Sequence, residues 1–414
     1  MKIINQLLVA LLALQAPLRE AWRDRPGVGR LAGFLTGWMY WYFWVIVVAL
    51  EAVAGADLVR YWLPDVPNWS ISLVLLVMLT LTNLVSVKSF GEFEFWFASI
   101  KVAAIVVFLF VAGVYVLGLT PASQGMHFGN LTGNGGFMPN GIVPVLTGAV
   151  AATGFYFGAE IVTIAAAETA EPQKAVAKAT NSVITRVLVF YVGSIFLVAC
   201  LVPWNAGGIA TPYVSALNTM GVPAAAQIMN AIVLTAVLSA LNSGLYASSR
   251  MLFALTRRGD APQALAKVSR NGVPTRAILV ATLFGYGAVV MSYVSPDKVF
   301  AFLVNSYGTV AIFVYILIAI SQLRLRARLE REAPHQLKVR MWCYPYLTWF
   351  AIFGMLSIVI AMAFIPEQRT PLALGVASLC ILLLAYAVRQ FLQRGVAPVV
   401  TSLSEAARPE PQKY

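Results

Sequence analysis

Charged side chains are scarce in this sequence, since Asp, Glu, Lys and Arg together make up 11% of its 414 residues. A soluble globular protein carries about 25% charged residues. The shortage excludes a soluble enzyme, a disordered chain and a nucleic-acid-binding protein. Apolar residues stand in place of the charges, at 60% of the chain with a mean hydropathy of +0.78. This composition indicates an integral membrane protein.

Histidine and cysteine are also rare. The two histidines, His127 and His335, lie in predicted loops, so a histidine-centred metal site or catalytic triad is unsupported. Cys200, Cys343 and Cys380 are widely separated, match no metal or redox spacing, and are interpreted as small apolar side chains. The chain also lacks a Walker-type glycine loop and an aspartate-rich motif for magnesium pyrophosphate. We therefore expect no enzyme activity, no metal and no cofactor.

Long apolar runs are the main feature that is present. A transmembrane helix needs about 20 mostly apolar residues, and Pro and Gly mark the breaks between such runs. The predicted spans are 31–59, 69–87, 94–118, 141–166, 184–203, 226–255, 277–294, 300–321, 344–365 and 371–391. The sequence therefore predicts an all-α membrane protein with about ten transmembrane helices.

The positive charges predict the orientation of these helices, because cytoplasmic loops retain Lys and Arg. If the first full span begins in the cytoplasm, 24 of the 29 Lys and Arg residues fall on the cytoplasmic side. Two more are set aside, Lys2 at the terminus and Lys101 inside a span. Those on the other side are Arg60, Lys298 and Arg369. This asymmetry places residues 19–30 and the C-terminus in the cytoplasm.

Two ionisable residues lie in the early spans, where charge is costly and often functional. Glu51 follows the aromatic run 38–44, so it either reaches the outer interface or points inward as a functional carboxylate. Lys101 is flanked by apolar residues about 10 Å into its span, counted from Glu94. Its amine either snorkels to the interface or stays buried as an internal, titratable cation.

Further polar features lie in the later spans. Glu160 lies near the middle of its span beside Gly154 and Gly158, whose spacing suits either close helix packing or a broken helix lining a cavity. Asn242, Ser243 and Tyr246 share one helical face, which suits either hydrogen bonds between helices or a binding site. Ser306 and Tyr307 form a similar, weaker group.

Several of these segments resemble the bacterial amino acid permeases of the amino acid-polyamine-organocation superfamily, and its gamma-aminobutyrate permease branch in particular. The resemblance runs from about Gly29 to about residue 395. The segments that carry it are 29–34 (GRLAGF), 37–41 (GWMYW), 83–96 (NLVSVKSFGEFEFW), 158–168 (GAEIVTIAAAE), 241–252 (LNSGLYASSRML) and 257–262 (RRGDAP).

The resemblance implies a five-plus-five inverted repeat of the LeuT type with two extra helices, and import of an amino acid or gamma-aminobutyrate together with protons. Lys101 matches the lysine that replaces sodium in proton-driven members. The residues that match substrate-site positions are Phe155, Gly158, Ala159 and Glu160 on the broken sixth helix, Glu51 on the third, and Asn242 with Ser243 on the eighth. Ser306 is a further candidate for substrate binding.

The ten spans correspond to family helices three to twelve, so we expect the first helix to be missing. Residues 1–28 are unmatched and form a half-span or an interfacial helix, residues 29–395 form the permease domain, and residues 396–414 form a cytoplasmic tail. We expect a multi-pass, monomeric symporter of the bacterial inner membrane whose partners are an amino acid, protons and the lipid bilayer. The alternative is a truncated, transport-inactive permease or a membrane sensor or partner protein.

Overall fold

The computed structural model describes residues 29–85, 87–121, 123, 128–153, 158, 175, 178, 182–183, 185–206, 211–269, 272–332, 334 and 343–394. These residues are helical, with connecting turns. The α-helices are α1 Gly29–Arg60, α2 Asn68–Val85, α3 Val87–Val116, α4 Val143–Thr153, α5 Gly193–Leu201, α6 Pro212–Thr219, α7 Ala225–Arg257, α8 Thr275–Val294, α9 Pro296–Glu332, α10 Tyr346–Phe364 and α11 Pro366–Arg394. A π-helical segment, Val187–Val192, leads into α5.

Helices long and apolar enough to cross a membrane agree with the predicted spans. Within the described residues, eight such helices are present, namely α1, α2, α3, α7, α8, α9, α10 and α11. The predicted span 184–203 corresponds to the shorter apolar helix Val187–Leu201. Of the predicted span 141–166, α4 covers the beginning, and most of the rest lies outside the described residues. The prediction of an all-α membrane protein is confirmed.

Helix α1 lies at the centre of the helical bundle. It packs most extensively against α7 and also contacts α2, α8, α9 and α11. Its side chains Met39, Tyr40, Val45 and Val48 are almost fully buried. Small residues permit this close contact, because a Cβ atom at Gly244 of α7 would lie 2.9 Å from Cγ2 of Val48. Close approach through small residues is typical of helix packing in membranes.

The outer helices α3, α10 and α11 expose large apolar side chains, such as Phe110, Phe350 and Phe391. In water such surfaces are unfavourable, but in a bilayer they contact lipid tails. A helical backbone suits that environment, because a helix pairs its polar groups internally, as the hydrocarbon interior requires.

One charged cluster joins the ends of α1, α7 and α11. The Asp260 carboxylate accepts a hydrogen bond from Nη1 of Arg389 at 2.5 Å and lies 3.6 Å from Nε of Arg258. Nη2 of Arg389 also donates to the carbonyl of Gly259 at 2.9 Å, and Nε1 of Trp38 donates to the carbonyl of Asp260 at 3.3 Å. We call these five residues the helix-end cluster.

Segments 1–28 and 396–414 lie outside the described residues. The predicted domain boundaries and the predicted inverted repeat therefore stay predictions.

Candidate functional site

Lys101 is held inside the protein by a serine on the neighbouring helix. Its side chain on α3 is half-buried, and Nζ donates a hydrogen bond to Oγ of Ser239 on α7 at 2.7 Å. Ser239 is almost fully buried, with 1% of its surface exposed. Of the two interpretations of Lys101, the geometry therefore agrees with an internal cation that has protein partners.

Carboxylates from two helices accompany this lysine. The Ser239 hydroxyl donates to Oε1 of Glu94 at 2.7 Å, so that one hydroxyl joins the Lys101 amine to a carboxylate two turns earlier on α3. Glu51 on α1 is half-buried and interacts electrostatically with Lys101. Both carboxylates stabilise the positive charge of the amine, because attraction between opposite charges is strong where water is sparse.

A pair of asparagines continues the polar surface of α7. Nδ2 of Asn83 on α2 donates to Oδ1 of Asn242 on α7 at 2.8 Å, and both side chains are buried. Ser239 and Asn242 are three residues apart, which places them on one face of α7. We call Glu94, Lys101, Ser239, Asn242 and Asn83 the interior polar cluster.

Asn242 thus makes the hydrogen bond between helices that was one of its two interpretations. Its own Nδ2 group is buried and has no hydrogen-bond partner among the residues that the structure describes. Ser243, the next residue, is half-buried. An orphaned buried donor costs about 1–3 kcal/mol unless a ligand or a water molecule meets it.

The backbone of Gly158 is not α-helical, which agrees with a broken helix, one of the two interpretations of this span. Its φ angle of +108° lies in a region that residues with side chains rarely adopt. A Cβ atom at this position would lie 3.4 Å from Cη2 of Trp44 on α1. The indole of Trp44 also lies against Gly244 of α7, and its buried Nε1 has no hydrogen-bond partner within the described part of the chain.

The remaining candidate site residues lie on α9 or outside the described residues. Ser306 on α9 is buried, but its hydroxyl donates to the carbonyl of Phe302 in the same helix at 2.7 Å. Tyr307 beside it interacts electrostatically with Glu51 and packs its ring against Phe43. The candidates Phe155, Ala159 and Glu160 lie outside the described residues.

Three residues of the interior polar cluster were not among the predicted site residues. Glu94 stands at the predicted start of its span, where a carboxylate is usually interfacial, and Ser239 and Asn83 are common polar residues of membrane helices. The spacing of Glu94 and Lys101 was the available signal, since seven residues make two helical turns and place both on one face.

The chemistry available in the described part of the site is proton exchange and hydrogen bonding. It offers an amine, two carboxylates, a hydroxyl and buried amide and indole donors. Among the described residues, no group of three or more His, Cys, Asp or Glu side chains is placed to hold a metal ion. Such sites suit a small zwitterion, whose carboxylate requires donors and whose ammonium requires acceptors.

Comparison with known proteins identifies the family. The amino acid permease family matches residues 25–394. A gamma-aminobutyric acid permease of Bacillus subtilis is 52% identical over 378 residues, which is 90% of this chain and 81% of that protein. A gamma-aminobutyric acid permease of Escherichia coli is 45% identical over 83% of this chain and 74% of its own length.

An aromatic amino acid transport protein of Corynebacterium glutamicum is also similar, at 39% identity over 80% of this chain and 71% of that protein. These relatives are permeases rather than enzymes, as expected from the sequence. A match of this extent, together with the apolar helices and the polar groups inside them, shows that the chain is a multi-pass membrane protein that belongs to the amino acid permease family.

Proposed function

We propose that this protein is a proton-coupled symporter that carries gamma-aminobutyrate or another amino acid across the bacterial cytoplasmic membrane. The observation that carries the proposal is the position of Lys101, a half-buried amine within a membrane span, bridged to Glu94 and interacting with Glu51. Ionisable residues inside membrane spans are rare and mark proton and substrate pathways.

The substrate site in this proposal lies between α1, α7 and the segment around Gly158. Support comes from two buried donors without partners in the described part of the chain, Nε1 of Trp44 and Nδ2 of Asn242. A substrate carboxylate would satisfy such donors. The proposed substrate ligands are Phe155, Gly158, Ala159, Glu160, Glu51, Asn242, Ser243 and Ser306, and Lys101 is the proposed coupling residue.

The substrate assignment draws on the similar permeases. Two of those reported above are named for gamma-aminobutyric acid and one for aromatic amino acids. Gamma-aminobutyrate is therefore the first substrate to test, followed by aromatic, basic and hydroxyl-bearing amino acids. We further propose that the protein acts as a monomer, with residues 19–30 and the C-terminus in the cytoplasm.

Loss of the proton from Lys101 changes the charge balance around it, from one cation near two carboxylates to a neutral amine near them. For coupling, the substrate must bind the two access states with different affinities in the protonated and neutral forms. A membrane potential of about 100 mV supplies about 2.3 kcal/mol for each proton carried. That free energy corresponds to roughly 50-fold accumulation of a zwitterionic substrate.

Replacing Lys101 by Ala tests this proposal. We expect Lys101→Ala to keep facilitated exchange of labelled gamma-aminobutyrate and to lose accumulation driven by a pH gradient, because no amine remains to carry the proton. The matched control is Lys298→Ala, which removes an exposed lysine at the start of α9. Uptake by cells that express each variant gives the measurement.

Two results would overturn the proposal. Normal proton-driven accumulation by the Lys101→Ala variant would show that this amine does not couple transport. Absence of uptake of every amino acid tested by the unaltered chain, with the protein present in the membrane, would instead favour a sensor or partner role.

A further inference from the structure

The interior polar cluster contains an uninterrupted path of hydrogen bonds from Lys101 to Glu94. Nζ of Lys101 donates to Oγ of Ser239, and that hydroxyl donates to Oε1 of Glu94, each at 2.7 Å. Both bonds point in the same direction, from the ammonium towards the carboxylate. A hydroxyl that accepts at one side and donates at the other has the orientation that proton transfer requires.

The second oxygen of Glu94 is unusual. Oε2 is buried and has no hydrogen-bond partner among the described residues. A carboxylate that only stabilises structure is generally satisfied at both oxygens, since an unpaired buried acceptor is costly. An oxygen that must take up and release a proton or bind a passing water molecule need not have a fixed protein partner.

The position of Glu94 along α3 predicts the side of the membrane towards which the path leads. Glu94 lies seven residues, or about 10 Å, nearer the N-terminus of α3 than Lys101. The distribution of positive charges predicts that this end of the helix faces the cytoplasm. Glu51, the other carboxylate that interacts with Lys101, comes from a different helix, α1.

We propose that Glu94 is the residue that receives the proton from Lys101 and passes it towards the cytoplasm, with Ser239 as the relay. This inference rests on the proposed proton coupling and on the predicted orientation. It adds to the site a proton acceptor that is joined to Lys101 by hydrogen bonds.

The transfer balances without a further reactant. One Nζ–H bond of Lys101 breaks as a new bond forms from that proton to Oγ of Ser239. The original Oγ–H bond of Ser239 breaks as its proton joins Oε1 of Glu94. The ammonium becomes a neutral amine, the carboxylate becomes a neutral acid, and the serine is unchanged in charge.

The groups around the path suit this exchange. The titratable or charged groups that interact with Lys101 are Glu94 on its own helix and Glu51 on α1, and Glu51 in turn interacts with Tyr307 on α9. The other members of the interior polar cluster, Asn83 on α2 with Ser239 and Asn242 on α7, are neutral. Transfer to Glu94 removes a pair of separated charges from a poorly hydrated region.

The test uses the full chain in liposomes with labelled gamma-aminobutyrate and an internal pH-sensitive dye. We expect Glu94→Gln to exchange labelled for unlabelled substrate as the unaltered chain does, because exchange needs no net proton release. Substrate-driven proton entry should fall by about tenfold or more, since an amide cannot accept the proton. Glu92→Gln, which alters an exposed carboxylate two residues away, is the control and should leave both rates unchanged.

Ser239 provides an independent pair of variants. Ser239→Ala removes the hydroxyl and should slow proton entry less than Glu94→Gln does, because a water molecule can partly replace the bridge. Ser239→Thr keeps a hydroxyl, so its rate of proton entry should be higher than that of Ser239→Ala and close to that of the unaltered chain. This pair decides the question if Glu94→Gln does not reach the membrane.

Three results of these experiments would contradict the proposals, the first two the relay and the third the coupling. Normal proton entry in Glu94→Gln or in Ser239→Ala overturns the relay and leaves the role of Lys101 intact. An equal loss of exchange and proton entry also overturns it, since that pattern shows a structural role. Substrate exchange without proton entry in the unaltered chain overturns the proposed coupling itself.

Discussion

The interior polar cluster and the helix-end cluster each connect an acidic and a basic side chain, but they do so differently. At the helix ends, Asp260 binds Arg389 directly at 2.5 Å, and the same arginine also donates to a backbone carbonyl. In the interior, Lys101 and Glu94 are joined through the Ser239 hydroxyl. One carboxylate oxygen of Glu94 has no partner in the described part of the chain.

This difference indicates that the two clusters have different roles. The helix-end cluster suits holding helices together, and the interior polar cluster suits moving a proton. A direct, multiply bonded arginine pair fixes geometry, and the guanidinium does not give up its proton. A lysine amine can exchange its proton, and a bridging hydroxyl can pass it on. We therefore expect changes at the helix-end cluster to act mainly on stability, and changes at the interior polar cluster to act mainly on coupling.

The largest effect on stability should come from Asp260→Ala. Its side chain is 11% exposed, and its removal leaves Arg389 without its carboxylate partner. Breaking a buried pair costs about 3–5 kcal/mol and breaking an exposed pair costs less than about 1 kcal/mol, so we expect about 2–3 kcal/mol for this partly buried pair. Thermal unfolding in detergent gives the measurement, and the pH dependence of any remaining transport should be unchanged.

Arg258→Ala is the control for that variant. Arg258 lies 3.6 Å from Asp260 and is 38% exposed, so its loss should cost less than about 1 kcal/mol. If Asp260→Ala kept full stability and lost proton coupling, the two clusters would not differ as we infer.

A smaller loss of stability is expected from overpacking the contact between α1 and α7. Gly244→Ala would place a Cβ atom 2.9 Å from Val48 and 3.4 Å from Trp44. Overpacking of this kind costs about 1–3 kcal/mol. Gly354→Ala on α10 meets nothing within 4 Å and should be neutral or slightly stabilising. Equal thermal stability of the two variants would contradict the close packing of α1 on α7.

The smallest effect should come from the asparagine pair of the interior polar cluster. A double-mutant cycle of Asn83→Ala and Asn242→Ala should give a coupling energy of about 0.6 kcal/mol, and at most about 1.7 kcal/mol, as for other hydrogen bonds between membrane helices. Reversible unfolding measures it. A value of zero would show that the 2.8 Å contact does not stabilise the junction of α2 and α7.

Part of the site was predictable from the sequence. Lys101 and Glu51 could be singled out because an ionisable residue within an apolar run carries a large desolvation cost and needs a partner. Gly158 could be linked to a broken helix, and its φ angle of +108° agrees with that interpretation. The partners themselves were not predictable, since Ser239 is 138 residues from Lys101 and reaches it only through the packing of α7 on α3.

The sequence by itself determined that the chain is helical, which stretches are apolar and long enough to cross a membrane, and which family it belongs to. Hydrocarbon satisfies no backbone polar group, so an apolar run of sufficient length must form a helix. Only the tertiary structure decided that α1 lies at the centre, with 61% of its most apolar stretch buried, while 6% of the corresponding stretch of α11 is buried. Lipid tails are as apolar as leucine, so a central helix and a lipid-facing helix have similar sequences, and only the packing of the helices distinguishes them.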